Sequence, residues 1–103
     1  HMLHLVQALV YHPVIKIVYV SGRSDLCRAM TAEWLDRHGF PCDALYMRKQ
    51  GDHRDDHILK IEMLAQVRAD GYEPIMAFDD RNRVVKAWRD AGIPCAQVAE
   101  GDF

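Results

Sequence analysis

The hydrophobic pattern along the chain switches repeatedly between an extended and a helical period. Residues 14–20 (Val14, Ile15, Lys16, Ile17, Val18, Tyr19, Val20) are mostly β-branched, with Pro13 before them and Ser21-Gly22 after. Such a run predicts a strand buried on both faces, as in a parallel sheet. From Ser24, an N-cap candidate, to Gly39, a C′ candidate, Leu26, Ala29, Met30 and Trp34 fall on one face and predict a helix. Ala44–Met47 predicts a short strand. Asp52–Gly71 predicts a second helix, with Ile58, Ile61, Leu64, Ala65 and Val67 supplying most of its apolar stripe. Ile75–Phe78 predicts a third strand, Arg81–Ala91 a third helix around Val84, Val85 and Trp88, and Ala96–Ala99 a last strand. Both tryptophans, Trp34 and Trp88, are expected in the core. The first eleven residues suit a helix through Leu5, Val6, Leu9 and Val10. Leu3, Leu5, Leu9 and Tyr11 also alternate as a strand would, and helix is the preferred reading.

An internal echo fixes the register of these elements. Gly39-Phe40-Pro41-Cys42 and Gly92-Ile93-Pro94-Cys95 each close a helix and precede a strand. Glycine permits a left-handed helix end, and the following proline stops the helix from continuing. The repeat is read as shared turn chemistry, not as a duplicated domain. Strands alternating with helices of this length predict βαβ units and a mainly parallel α/β sheet flanked by helices.

Composition narrows the class. The chain has 103 residues, half of them apolar and 27% charged, the balance of one soluble globular domain. The expected domain spans residues 1–103, with His1-Met2 read as a tag scar. No apolar run approaches the ~20 residues of a membrane-spanning helix, and no secretory signal pattern opens the chain. A net charge of −2 excludes a general basic coat for nucleic acid, so any such contact must come from a local patch. Three widely spaced cysteines, Cys27, Cys42 and Cys95, favour reduced thiols in a cytoplasmic setting over a disulfide framework or a zinc site.

In a parallel α/β sheet, ligands bind beyond the carboxyl ends of the strands. The first strand ends in Ser21-Gly22-Arg23, where a hydroxyl, an accessible backbone N–H and a guanidinium suit a phosphate. The third ends in Asp79-Asp80, adjacent carboxylates that need a cation or donors to offset their repulsion, so Mg²⁺ is a plausible occupant. Asp56 and Lys60 stand at i,i+4 spacing on one helix face. Each feature also has a structural reading: a strand-to-helix turn at Ser21-Gly22, an N-cap at Asp79-Asp80, a solvated surface pair at Asp56–Lys60. His53 and His57, with Asp52 and Asp56, suggest a metal site but lack an obvious third ligand, and a polar helix face is preferred.

Three segments carry a family resemblance. Val18-Tyr19-Val20-Ser21-Gly22-Arg23, then Gly51-Asp52-His53-Arg54 leading to Lys60, then Phe78-Asp79-Asp80-Arg81 resemble motifs two, three and four of the haloacid-dehalogenase (HAD) phosphatases. The longer stretches Arg48–Arg54 and Asp79–Val85, with the tail Gln97–Phe103, look like the phosphatase domain of bacteriophage polynucleotide kinase/3′-phosphatase. The resemblance covers residues 14–103. It implies a three-layer, Rossmann-like parallel sheet and an aspartyl-phosphate mechanism acting on the 3′-phosphate of a DNA or RNA end. It implies that Ser21, Gly22, Arg23 and Lys60 hold the phosphoryl group, with Ser21, Arg23, Asp56 and Lys60 as the catalytic set and Asp56 bracing Lys60. It implies Mg²⁺ at Asp79 and Asp80.

One departure from the family pattern changes the functional expectation. Members begin with a strand ending in Asp-x-Asp, whose first Asp is the nucleophile, whereas the first acid of this sequence is Asp25. Loss of a covalent nucleophile costs on the order of a million-fold in one hydrolase series. The chain is therefore expected to be a truncated phosphatase domain, inactive alone. The missing strand is also expected to leave two interior edges. Either the first and third strands pair directly, giving order 2-1-3-4, or another chain, such as a second copy of this one, fills the gap. Two alternatives stand beside this reading. One is a non-catalytic oligomerisation or phosphate-end binding module using Arg23, Arg48, Lys49, Arg54 and Lys60; the other is a phosphatase completed in trans.

Overall fold

A computed structural model describes residues 2–10, 15–99 and 101. The chain divides into two compact units, His1–Asp52 and His53–Phe103. In the first, helix α1 (Met2–Val10) is followed by strand β1 (Val18–Ser24), helix α2 (Arg28–Arg37) and strand β2 (Ala44–Arg48). In the second, helix α3 (Asp56–Ala69) is followed by strand β3 (Ala77–Asp79), helix α4 (Asn82–Asp90) and strand β4 (Cys95–Gln97). Among the described residues, no helix is long and apolar enough to cross a membrane.

Each unit contains one parallel strand pair with a helix between its strands. Val18 pairs with Ala44 through to Ser21 with Met47, and Ala77 pairs with Cys95 through to Asp79 with Gln97. These are the outer pairs of the expected order 2-1-3-4. Direct pairing of β1 with β3 is not found: among the described residues the ladders form two separate two-stranded sheets. Each pair is closed by its own crossover helix, so neither ladder needs the other to form.

Glycine ends the helices as the repeated Gly-x-Pro-Cys segments imply. At α2 the Gly39 N–H donates to Asp36 O at 3.1 Å and the Phe40 N–H to Leu35 O at 2.9 Å. At α4 the Gly92 N–H donates to Arg89 O and the Ile93 N–H to Trp88 O, both at 3.0 Å. This paired pattern satisfies the last helical carbonyls but requires a left-handed residue, and Gly39 and Gly92 have φ of 76° and 84°.

The strands and helices are shifted from their expected bounds. β1 begins at Val18 and runs on to Ser24, four residues beyond the expected end. Ile17 lies outside the strand yet is tied by its N–H to Asp43 Oδ2 at 2.7 Å; Val14 and Tyr11 lie outside the described residues. Ser24 does cap, accepting from the Leu26 N–H, but it caps a short 3₁₀ turn at Asp25–Cys27 ahead of α2. β3 starts two residues late, leaving Ile75 and Met76 exposed, and β4 ends at Gln97 with Val98 exposed.

Burial corrects three expectations. The stripe Leu26, Met30 and Trp34 is 70%, 62% and 50% exposed, and Trp34 is not a core residue. The inward side of α2 is instead marked by the buried Leu35 and the half-buried Thr31. Arg28 Nη1 donates to the Leu45 carbonyl at 2.9 Å. Trp34 stacks on His38 and Phe40, with ring centroids 4.3 and 5.5 Å away. On α3 the buried face is Leu59, Lys60, Met63, Leu64 and Val67, while Ile58 is exposed. The stripe has rotated because the Lys60 ammonium must face the carboxylates described below. β1 is half-buried, not buried on both faces. α4 matches its expected stripe, with Val84, Val85 and Trp88 all buried.

These differences predict unequal sensitivity to truncation. Val84→Ala, at a fully enclosed position, is expected to cost about 2 kcal/mol or more. Met30→Ala should stay within about 0.5 kcal/mol. Urea unfolding of the two variants checks the contrast.

Candidate functional site

The second unit builds its site around an ammonium group. Asp56 opens α3 and Lys60 follows one turn later, so the helix brings them to one face. Lys60 Nζ lies 3.3 Å from Asp56 Oδ2 and 3.0 Å from Asp79 Oδ2. Asp79 is the last residue of β3, where the strand end delivers it to the same point. The Lys60 and Asp79 side chains are each only 11% exposed. A solvated surface pair is therefore excluded for Asp56 and Lys60. Arg81, two residues after Asp79, places Nη1 3.8 Å from Asp56 Oδ2 and adds a second cation at the rim.

Asp79 is held from every side. Its Oδ2 accepts from Lys60 and, at 3.4 Å, from the Trp88 indole N–H of α4. Its Oδ1 accepts the backbone N–H groups of Asp80 at 2.9 Å and Arg81 at 3.5 Å. Burial, the largest single influence, would alone raise the Asp79 carboxyl, but the Lys60 charge and the hydrogen bonds on the group together outweigh it. With the hydrogen bonds from Lys60, Asp80 and Trp88, that charge holds the group below the usual carboxylate range. Four donors match the roughly four lone-pair sites of a carboxylate. Asp80, in contrast, is exposed, and its backbone carbonyl is fixed by Gln97 Nε2 at 3.0 Å. The same amide donates to Asn82 Oδ1 at 2.6 Å.

The geometry thus divides the adjacent acids. Asp79 anchors Lys60, and Asp80 projects a carboxylate to the surface at the carboxyl end of a parallel strand. Among the described residues, no three His, Cys, Asp or Glu side chains gather to hold a metal, His53 and His57 included. Of the two acids, Asp80 is the exposed one, whereas both oxygens of Asp79 already accept hydrogen bonds.

The first unit carries the other predicted group. Ser21, Gly22 and Arg23 lie near the carboxyl end of β1, where the ladder skips from Ser21–Met47 to Ser24–Arg48. Ser21 Oγ accepts the Arg23 backbone N–H at 3.1 Å, which folds the segment into a tight turn. Arg23 is exposed, as is Lys49. Arg48 and Arg54, grouped with them on sequence, are committed elsewhere: Arg48 to the carbonyls of Gly22 and Asp52, Arg54 to Glu62. Each unit thus assembles its own part: Ser21, Gly22 and Arg23 in one turn of the first, Asp56, Lys60 and Asp79 in one cluster of the second. Sequence reading missed Trp88, Gln97, Arg81 and the backbone role of Arg48. The only available signal was their proximity to the aspartates and the glycine turn.

Paired parallel strands with crossover helices, and chemistry at their carboxyl ends, describe an α/β fold of the HAD type. Comparison with known proteins narrows the class. The family model described as polynucleotide kinase PNKP phosphatase domain matches residues 1–103, and the chain belongs to that family. A relative from Autographa californica nuclear polyhedrosis virus, named as a bifunctional polynucleotide kinase/RNA ligase, is 35% identical over 79 residues. That alignment takes in 76% of this chain and 11% of the viral protein. A chain in the solved Pnkp1/Rnl/Hen1 RNA repair complex superimposes with a TM-score of 0.90 at 33% identity, covering 97% of this chain and 32% of that one. A second structure of the Pnkp1/Rnl/Hen1 complex gives a TM-score of 0.92 at 32% identity, covering 99% and 35%. The chain therefore spans about a tenth of the viral relative and about a third of the solved chains.

Two outcomes test the cluster. Lys60→Met leaves two buried carboxylates without their shared cation and is expected to cost about 3–5 kcal/mol, read by urea unfolding. Asp79 has a depressed native value, so its contribution is present above the unfolded-chain value of about 3.9. That contribution declines as pH falls and is gone once pH passes below the native value. Asp79→Asn should accordingly flatten the loss of stability as pH falls through and below the unfolded-chain value of about 3.9. A variant that keeps the wild-type acid slope would assign the slope to other carboxylates.

Proposed function

We propose that this chain supplies the phosphoryl-holding part of a polynucleotide 3′-phosphatase and does not supply the carboxylate that attacks. The buried Asp56–Lys60–Asp79 cluster, in a chain of the polynucleotide kinase phosphatase family, carries this reading. An ammonium fixed by two acids in a site of low exposure is a preorganised positive charge. Such a charge is suited to stabilising the negative charge that develops on a transferring phosphoryl group. Ser21 Oγ, the backbone at Gly22 and the exposed Arg23 guanidinium offer donors of the kind that a terminal phosphate takes up.

Covalent phosphoryl transfer also needs an attacking carboxylate. The first acid in the sequence, Asp25, follows the phosphate turn and is occupied by the Gln50 backbone N–H at 3.1 Å. Asp56 and Asp79 are spent on Lys60. On this reading the nucleophile belongs to none of these three, as the departure from the Asp-x-Asp pattern before Ser21 also implies. Asp80 would hold Mg²⁺, which when bound draws charge from the phosphoryl oxygens. The RNA ligase and RNA repair names of the relatives favour an RNA end.

Phosphate release from p-nitrophenyl phosphate and from a 3′-phosphorylated oligoribonucleotide, with Mg²⁺ present, tests the proposal. The purified chain is expected to turn over neither. It should bind the 3′-phosphorylated strand in preference to its 3′-hydroxyl counterpart and lose that preference in Arg23→Ala. Turnover that Lys60→Ala abolishes would show that the chain holds its own nucleophile.

A further inference from the structure

The β1–β2 ladder breaks at one place, and a single side chain repairs it. Val18 to Ser21 pair with Ala44 to Met47, and the next pair is Ser24 with Arg48, so Gly22 and Arg23 loop out of register. The looping takes the Gly22 carbonyl out of the ladder, where a half-buried acceptor without a donor is costly. Arg48 Nε donates to that carbonyl at 2.7 Å. From the same guanidinium, Nη1 donates to Asp52 O at 3.1 Å. The Asp52 N–H in turn donates to Lys49 O at 3.0 Å, so this second contact grips the turn after β2. A neighbouring bond from the Gln50 N–H to Asp25 Oδ1 joins the same two loops.

Three basic residues therefore stand near one turn in different states. Arg23 and Lys49 are exposed, while Arg48 is half-buried with its fork spread across two backbone carbonyls. We infer that Arg48 is a positioning residue for the phosphate turn: it fixes the Gly22–Arg23 loop through the Gly22 carbonyl and makes no contact with the substrate phosphate. The inference rests on the proposal that Ser21, Gly22 and Arg23 hold that phosphate. A planar guanidinium reaches two separated acceptors from two different nitrogens at a fixed spacing, whereas an ammonium offers all its donors from one atom. Charge alone at this position is thus not sufficient.

Fluorescence anisotropy tests it, using a 3′-phosphorylated oligoribonucleotide and its 3′-hydroxyl counterpart over a range of salt. Arg48→Lys is expected to lose preference for the phosphorylated end by roughly tenfold, the equivalent of one charge-assisted hydrogen bond. Its slope of log affinity against log salt should stay at the wild-type value, because no phosphate contact is lost. Arg23→Ala should lose the preference and lower the slope by about 1. Full preference in Arg48→Lys, or a slope lowered by about 1 in Arg48→Ala, overturns the inference. Absence of any preference in the wild-type chain would overturn the phosphate-turn reading instead. A second measurement needs no variant: the Arg48 Nε–H should be protected from solvent exchange in ¹⁵N NMR spectra before any ligand is added. Protection that arises only with the phosphorylated strand would mean that Arg48 contacts phosphate after all.

Discussion

Taking an ammonium out of water costs several kcal/mol unless its neighbours repay it, and Lys60 is nearly enclosed. The second unit is arranged around that requirement. Helix geometry brings Asp56 to the ammonium from one turn earlier, and a parallel strand end brings Asp79 from the other side. Asp79 in turn depends on the Trp88 indole and on two backbone N–H groups of the β3–α4 turn. The cluster therefore ties α3, β3 and α4 into one polar network, in a unit whose buried apolar residues include Leu59, Met63, Val84 and Val85. Because each carboxylate lone pair of Asp79 has a donor, little reorganisation is left for the moment when charge develops nearby.

Where the sequence was legible, local chemistry and tertiary packing agreed. Val84, Val85 and Trp88 form an apolar face at helical spacing and are buried. Gly39 and Gly92 stand before Pro41 and Pro94 and adopt the left-handed conformation that ends each helix. Asp56 and Lys60 could be placed on one face from spacing alone. The HAD-type family was likewise readable from the short motifs at residues 18–23, 51–60 and 78–81.

Where it was not legible, a non-local partner set the outcome. Ile58 and Leu59 are equally apolar, and only the carboxylate of Asp79, 19 residues beyond Lys60, decides which faces inward. Leu26, Met30 and Trp34 make a regular stripe, yet the inward face of α2 is fixed by an Arg28 bond to β2 and by Leu35. Asp79 and Asp80 look interchangeable in the sequence. The α4 indole separates them, since it reaches the first and not the second. Arg48 reads as one more cation in a basic segment, and the gap in the ladder that it fills exists only after two strands have paired.

The loop at Gly22–Arg23 has a consequence for the evolution of this segment. Between the flanking pairs, β1 advances three residues while β2 advances one. Both steps are odd, so the strand re-enters the ladder with its alternation intact and Ser24 keeps its proper side. Loss or gain of one residue there would turn Ser24, the last residue of the strand and the cap of the following turn, to the opposite face. A change of one residue in this turn therefore carries a cost that an ordinary surface loop does not, because it would misplace the Ser24 hydroxyl that accepts from the Leu26 N–H.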